Sequence, residues 1–230
     1  NPITNTRTFG ANPEIVSGFG RTYVEEVQKY SIAASIKHFP GDGVDERDQH
    51  LLASVNNLSV KEWDDTYGIV YRNCIDAGAK TVMVGHIMQP AYSRQLCPGI
   101  KDEEIMPGLL APELLNDLLR GKLGFNGLIV SDSTTMAGMG TVMPREKAVP
   151  LVIASGCDMF LFTKNLEEDL SFMTKGVKNG VITKERLDDA VMRILALKAS
   201  LGLHKKENIP DELAARRVVG CPEHREVSRR

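Results

Sequence analysis

No run in this chain approaches the roughly 18 uninterrupted apolar residues of a membrane-spanning helix. The N-terminus, Asn1-Pro2-Ile3, has neither an initiator Met nor the apolar stretch of a signal peptide. The absent Met suggests a fragment or a processed chain. Charge of one sign is also lacking: 28 Lys and Arg against 30 Asp and Glu leave a formal net charge of −2. Acids and bases are interleaved, which gives no field for nucleic acid or an anionic membrane and leaves a small-molecule or neutral-polymer substrate. No phosphate loop of the form G-x-x-x-x-G-K followed by Ser or Thr occurs. Gly18-Phe19-Gly20, the local echo of a dinucleotide fingerprint, falls inside an expected helix and has Tyr23 where a third Gly is required. The four cysteines, Cys74, Cys97, Cys157 and Cys221, are far apart, with no Cys-x-x-Cys and no His at zinc-finger spacing. They read as packing thiols, with no metal and no cofactor expected, in a reducing compartment, cytoplasmic rather than secreted.

What is present is ordinary globular composition, 42% apolar and 25% charged over 230 residues, enough for one sizeable core. Apolar, β-rich runs at about 32–38, 80–85, 127–131 and 158–162 alternate with helical stretches, the pattern of parallel strands joined by crossover helices. The fold class is therefore α/β. Asn12 and Pro13 open a first helix reaching about Lys29, with Ile15, Phe19, Tyr23 and Val27 on one stripe. Ser59 and Glu62 form a capping-box pattern opening a second helix that stops at Gly78. Pro112 starts a third and the segment after Pro144 a fourth that ends near Gly156. Two more follow, at 165–178 and from Thr183 to Ser200, the latter with Leu187, Val191, Ile194 and Leu197 inward. Beyond Gly202 the periodicity fades through Lys205 to Pro210, a short helix-like piece spans 211–219, and the end is polar, so 204–230 reads as a linker or tail.

The strands finish in polar residues: Lys37 and His38, then His86, then Asp132, then Thr163 and Lys164. Several strand ends converging on one mouth is the arrangement of a (β/α)8 barrel site. The segment 37–50 packs eight ionisable side chains into a strand end and a loop. Asp132 follows a buried-looking strand and precedes hydroxyl residues able to hydrogen-bond its carboxylate, which suits a nucleophile or an electrostatic stabiliser; capping the next helix is the alternative. Asp48 and His50 can pair if the loop turns, the carboxylate orienting the imidazole as a general acid; a solvated loop is the alternative. The long loop from Pro40 to about Asn57 suits a lid. Lys37 and His38 point to opposite faces of a regular strand, but both reach the mouth if the strand end frays. Arg7, taken alone, reads as a surface arginine.

Together these segments resemble the catalytic barrel of glycoside hydrolase family 3, in its β-N-acetylglucosaminidase (β-hexosaminidase) branch. The resemblance rests on Arg7-Thr8-Phe9-Gly10 with Asn12-Pro13-Glu14, KHFPGDG at 37–43, Asp48-x-His50, LGFNGLIVSDS at 123–133 with Met136, and the helix ITKERLDDAVMRILALKASLGL at 182–203. It implies a TIM-type barrel over 1–203, with Asp132 as nucleophile, His50 as acid/base oriented by Asp48, and Arg7, Lys37 and His38 holding sugar hydroxyls. It further implies a retaining double displacement on a β-N-acetylglucosaminide, with β-glucoside hydrolysis, phosphorolysis, or a non-catalytic carbohydrate-binding remnant as alternatives. Two departures stand out. Muropeptide-recycling members read KHFPGHG, whereas Asp42 occupies the second His position here. The family barrel also has strands before the segment matching Asn1, so this chain is expected to be incomplete at its N-terminus. Exposed strand edges would then await a further segment or a partner chain.

Overall fold

The computed structural model describes residues 4–205 and 211–230. Lys206 to Pro210, expected to form a linker, lie outside the described residues.

Three parallel strands, β1 (Ser35–Phe39), β3 (Thr81–Val84) and β5 (Leu128–Ser131), lie side by side in the order in which the chain makes them. A single parallel bridge from Val130 to Met159 continues the row. Helices fill each crossover: α2 (Val60–Asp65) and α3 (Tyr67–Asp76) precede β3, while α4 (Pro90–Leu96) and a π-helix (Glu113–Lys122) precede β5. α5 (Ala137–Gly140) and α6 (Arg145–Ser155) lead to Met159. A doubly wound sheet reverses strand order once; this row advances without reversal, as a section of barrel wall does. A short second ladder pairs β2 (Ser54–Val55) with β4 (Ile87–Met88), also in parallel, next to the strand ends.

The core lies between sheet and helices, with Phe39, Val82, Val84 and Ile129 from the strands meeting Leu114, Leu115, Leu118 and Leu119 of the π-helix. Trp63 stacks on Tyr71 and meets Phe39 edge-on. Each such buried apolar side chain stabilises the fold by roughly 1.5–3 kcal/mol. At the leading ends of the strands, the fully buried carboxylate of Asp158 accepts from Arg120 Nη2 at 2.7 Å, from Arg186 Nη2 at 2.5 Å and from the Ile129 amide at 2.8 Å.

Several helices differ from the sequence expectation in instructive ways. Helix α1 (Pro13–Gln28) starts where Asn12 caps it, its side chain accepting from the amides of Glu14 and Ile15. It buries Ser17 and Val24, leaving Ile15, Phe19 and Tyr23 exposed. The small stripe wins because it permits close approach to α3: Asn73 Nδ2 donates to Ser17 Oγ at 2.5 Å, and a Cβ on Gly20 would lie 2.8 Å from Cys74 Sγ. The expected single helix over 59–78 breaks at Thr66, whose φ of −121° and ψ of −86° are not helical and whose hydroxyl donates to Glu62 O. The helix expected after Pro112 is present with π-type bonding: Leu123 N donates to Leu118 O. On α8 (Lys184–Ser200) Ala190 is buried and Val191 is exposed, so the inward face is narrower than the apolar pattern predicts. The run 158–162 forms only the Met159 bridge. Ser131 Oγ accepts from the Leu161 amide, which a ladder would use, and Phe162 turns to φ +55°. After α7 (Leu166–Lys178) and α8, the polar end holds α9 (Glu212–Val218) and α10 (Pro222–Arg229), neither with a buried residue.

Candidate active site

Three of the polar strand ends meet: His38 stands 3.5 Å from Asp132, and His86 2.9 Å from the carbonyl of Ser133 next to it. β1 pairs regularly with β3 at Ile36, and the register shifts before Phe39; the Lys37–His38 and Phe39–Pro40 peptide bonds are cis. Lys37 and His38 both border one cavity of about 430 Å³, alongside Arg7 and Asp42. Arg7 ends the short turn Asn5–Arg7 and is exposed, yet its charge acts on Asp48.

Asp132 stands one residue beyond β5, with its amide donating to Val84 O at 2.9 Å. Its Oδ1 accepts from the Ser133 amide at 2.7 Å, and its Oδ2 lies 3.5 Å from His38 Nε2. The neighbouring hydroxyls do not serve the carboxylate as the sequence suggested: Ser133 Oγ pairs with Thr135 Oγ1, and Thr134 Oγ1 donates to Phe162 O. Nor does Asp132 cap the next helix, since Met136 precedes α5. Its carboxylate stays beside His38, 13% exposed.

The loop after Pro40 brings its own pair. Asp48 Oδ1 lies 2.6 Å from His50 Nδ1 and accepts from the His50 amide at 3.0 Å. That amide, reinforced by the imidazole and by Arg7, holds the Asp48 carboxyl below its ordinary range. The ring is half exposed, with Nε2 left for another partner. The loop is fastened to the turn after Asp132: Ala137 N donates to His50 O at 3.0 Å, and Gly138 N donates to Gln49 O at 3.2 Å. Farther along the loop, Asp45 accepts from the Arg47 guanidinium and amide and from the Val55 amide, which together lower its carboxyl to about 2. Thr163 and Lys164, expected at the mouth, are exposed, and the Lys164 amide is turned to Asp169. Among the described residues no cluster of His, Cys, Asp or Glu is arranged to hold a metal.

Residues 1–197 match the family model described as glycosyl hydrolase family 3 N terminal domain. The chain belongs to glycoside hydrolase family 3. Over 229 residues it is 66% identical to a β-N-acetylglucosaminidase/β-glucosidase of Cellulomonas fimi, covering 100% of this chain and 40% of that protein. Among solved structures it resembles a β-glucoside phosphorylase bound to 2FGlc, with TM-score 0.95 and 48% identity over 98% of this chain and 40% of that one. It also resembles a family 3 β-N-acetylglucosaminidase from Paenibacillus sp. str. FPU-7, with TM-score 0.83 and 26% identity over 92% and 39%. The family 3 chain thus spans less than half the length of these relatives. The barrel wall seen here is one section of the TIM-type architecture.

Two residues at this candidate site, Gln49 and Tyr67, gave little signal in the sequence, whereas His86 was marked there as a polar strand end. Gln49 is buried between Asp48 and His50; its Nε2 donates to Asp42 Oδ2 at 3.2 Å and its Oε1 accepts from the His86 amide at 2.8 Å. A neutral amide inside a charged loop has no pattern to mark it. His86 is fully buried, with Nε2 2.9 Å from Ser133 O, and burial pushes its pKa down. Tyr67, on the helix outside the sheet, donates its hydroxyl to Asp42 O at 2.9 Å, beside Trp63 Nε1 bonded to Pro40 O at 2.6 Å. Helical spacing marks both aromatics as core, and their polar tips are invisible to that pattern.

Proposed function

We propose that this domain carries the catalytic centre of a retaining exo-glycosidase that removes terminal β-linked N-acetylglucosamine. The observation that carries the reading is the Asp48–His50 pair, 2.6 Å apart, on a loop fastened to the turn that follows Asp132. In the first step the Asp132 carboxylate attacks the anomeric carbon as the glycosidic C–O bond breaks, and His50 Nε2 gives its proton to the departing oxygen. Asp48 holds Nδ1 and so keeps Nε2 as the working nitrogen. In the second step neutral His50 takes a proton from water, whose oxygen attacks the anomeric carbon and releases Asp132. Lys37, His38 and Arg7, grouped on one cavity, hold the sugar hydroxyls. The names borne by the relatives, β-N-acetylglucosaminidase/β-glucosidase among them, support the substrate class and keep β-glucosides beside it. A further strand-bearing segment along the open outer edge of β1 completes the barrel.

A second reading is phosphorolysis. An imidazole acid/base, unlike a second carboxylate, does not repel an incoming phosphate anion. The likeness to a β-glucoside phosphorylase at 48% identity points the same way.

The test is release of p-nitrophenol from its β-N-acetylglucosaminide and β-glucoside by the full-length protein, with and without phosphate. Turnover that disappears in Asp132→Ala, with a 2-fluoro sugar ester trapped on Asp132, supports the glycosidase. A rate that requires phosphate selects phosphorolysis. Absence of turnover and of a trapped ester leaves a carbohydrate-binding domain.

A further inference from the structure

The two halves of the centre arrive from different directions: His38 and Asp132 on strand ends, Asp48 and His50 on a loop. One oxygen touches both. Asp42 Oδ2 lies 3.3 Å from His38 Nδ1 and accepts from Gln49 Nε2 at 3.2 Å. Its backbone carbonyl is held by Tyr67 Oη, and the preceding Gly41, at φ +136°, packs so closely on the Tyr67 ring that a Cβ there would lie 2.5 Å from it. The carboxylate therefore sits on a fixed mount, only 14% exposed, where its contact with the imidazole and its charge-assisted hydrogen bond from Gln49 are screened little by water.

What each contact does follows from its far side. Asp42 Oδ2 stands 3.3 Å from Nδ1 on one side of the His38 ring, and Asp132 Oδ2 stands 3.5 Å from Nε2 on the other. Gln49 is both the residue between Asp48 and His50 and a buried clasp: its amide nitrogen reads Asp42, its amide oxygen reads the His86 N–H, and its carbonyl receives Gly138 N. An amide has one donor end and one acceptor end, so the loop seats only where a carboxylate and an N–H face it in this order. We propose that Asp42 is a positioning residue that couples the two halves, fixing the His38 ring at the nucleophile and docking, through Gln49, the loop that carries the acid/base. The proposal rests on the glycosidase reading for its consequence on rate, but the docking itself is readable without turnover.

The test compares the full-length protein with Asp42→Asn, which keeps the shape and removes the charge, and Gln49→Glu, which sets a second carboxylate against Asp42. Histidine 15N NMR reports the His38 ring, hydrogen exchange reports the amides of residues 43–53, and aryl glycoside kinetics report kcat and KM. In Asp42→Asn the His38 ring signals move, exchange across 43–53 speeds up, and kcat falls about tenfold or more, as misplacement of site groups commonly costs, with KM changed less. Gln49→Glu speeds the same exchange, and carries the test if Asp42→Asn does not fold. Wild-type exchange over 43–53 in the folded variants, with unmoved His38 signals, overturns the proposal at any rate of turnover. If ring and loop respond while no form of the protein cleaves either glycoside, the glycosidase reading falls and the coupling by Asp42 stands.

Discussion

One carboxylate oxygen of Asp48 serves His50 twice, facing ring Nδ1 at 2.6 Å and accepting the residue's own amide at 3.0 Å. The backbone bond pins Asp48 in place, so the ring bond sets the imidazole's orientation rather than the reverse. Asp48→Asn keeps the shape but lets an amide NH2 face the ring, which favours the wrong tautomer. Turnover should fall by up to about 10⁴-fold, the loss on Asp-to-Asn change where a carboxylate sets the tautomer of an acid/base imidazole. The loss should be smaller for a dinitrophenyl leaving group, which departs without a proton. Equal losses for both leaving groups, measured by stopped-flow, would count against His50 as the acid.

Asp45 gives a stability prediction with a defined pH window. Its carboxyl titrates at about 2 in the fold against 3.8 when free, because the Arg47 guanidinium and two backbone amides bind its charged form. A lowered native value stabilises fully above the free value and is lost as the pH falls through the native one. Asp45→Asn should therefore lose on the order of 2 kcal/mol near neutrality. Thermal melts of variant and wild type should converge between about pH 4 and pH 2. A constant gap across that window would show that the charge is not what holds Val55.

His86 acts in the opposite part of the acid range. Burial lowers its pKa below the free value of 6.5, so in the fold it stays neutral where the unfolded chain already takes a proton. Stability is fully present above about pH 6.5 and declines as the pH falls toward the native value, because the unfolded state binds the extra proton. His86→Gln should be less stable at neutral pH yet lose less on acidification. Urea titrations at a series of pH values decide this by their slopes.

At the other end of the strands, Asp158→Asn takes the carboxylate from Arg120 and leaves Arg186 paired with Asp189 alone. Breaking a buried ion network in this way costs about 3–5 kcal/mol. The expected result is a lower denaturation midpoint, with kcat unchanged at a temperature where the variant remains folded. A fall in kcat for the folded variant would mean that the network reaches the mouth.

The sheet was legible because β1, β3 and β5 each have a short apolar run ending in a polar residue, and strand burial writes that pattern directly. The run at 158–162 looks the same but fails as a strand: Ser131 Oγ intercepts the Leu161 amide, a tertiary contact that no local pattern encodes. The stripe Ile15, Phe19 and Tyr23 misled in the same way, since the partner surface on α3 selects the small residues. At the candidate site, charge and spacing drew attention to Asp132, Asp48, His50, Lys37 and His38 but left a helix cap and a solvated loop as alternatives, and the family resemblance supplied the roles. Arg7 came from the family resemblance. Gln49 and the Tyr67 hydroxyl were hidden because their value lies in which oxygen or amide they meet.

The strands divide labour along their length. Asp158 and its two arginines tie the leading ends together, while His38, His86 and Asp132 occupy the trailing ends. Substitutions at the Asp158 network are therefore separated in space from substitutions at the mouth, and the two sets share no partner. A mutant library confined to one end can be recombined with one confined to the other, and the gains should add.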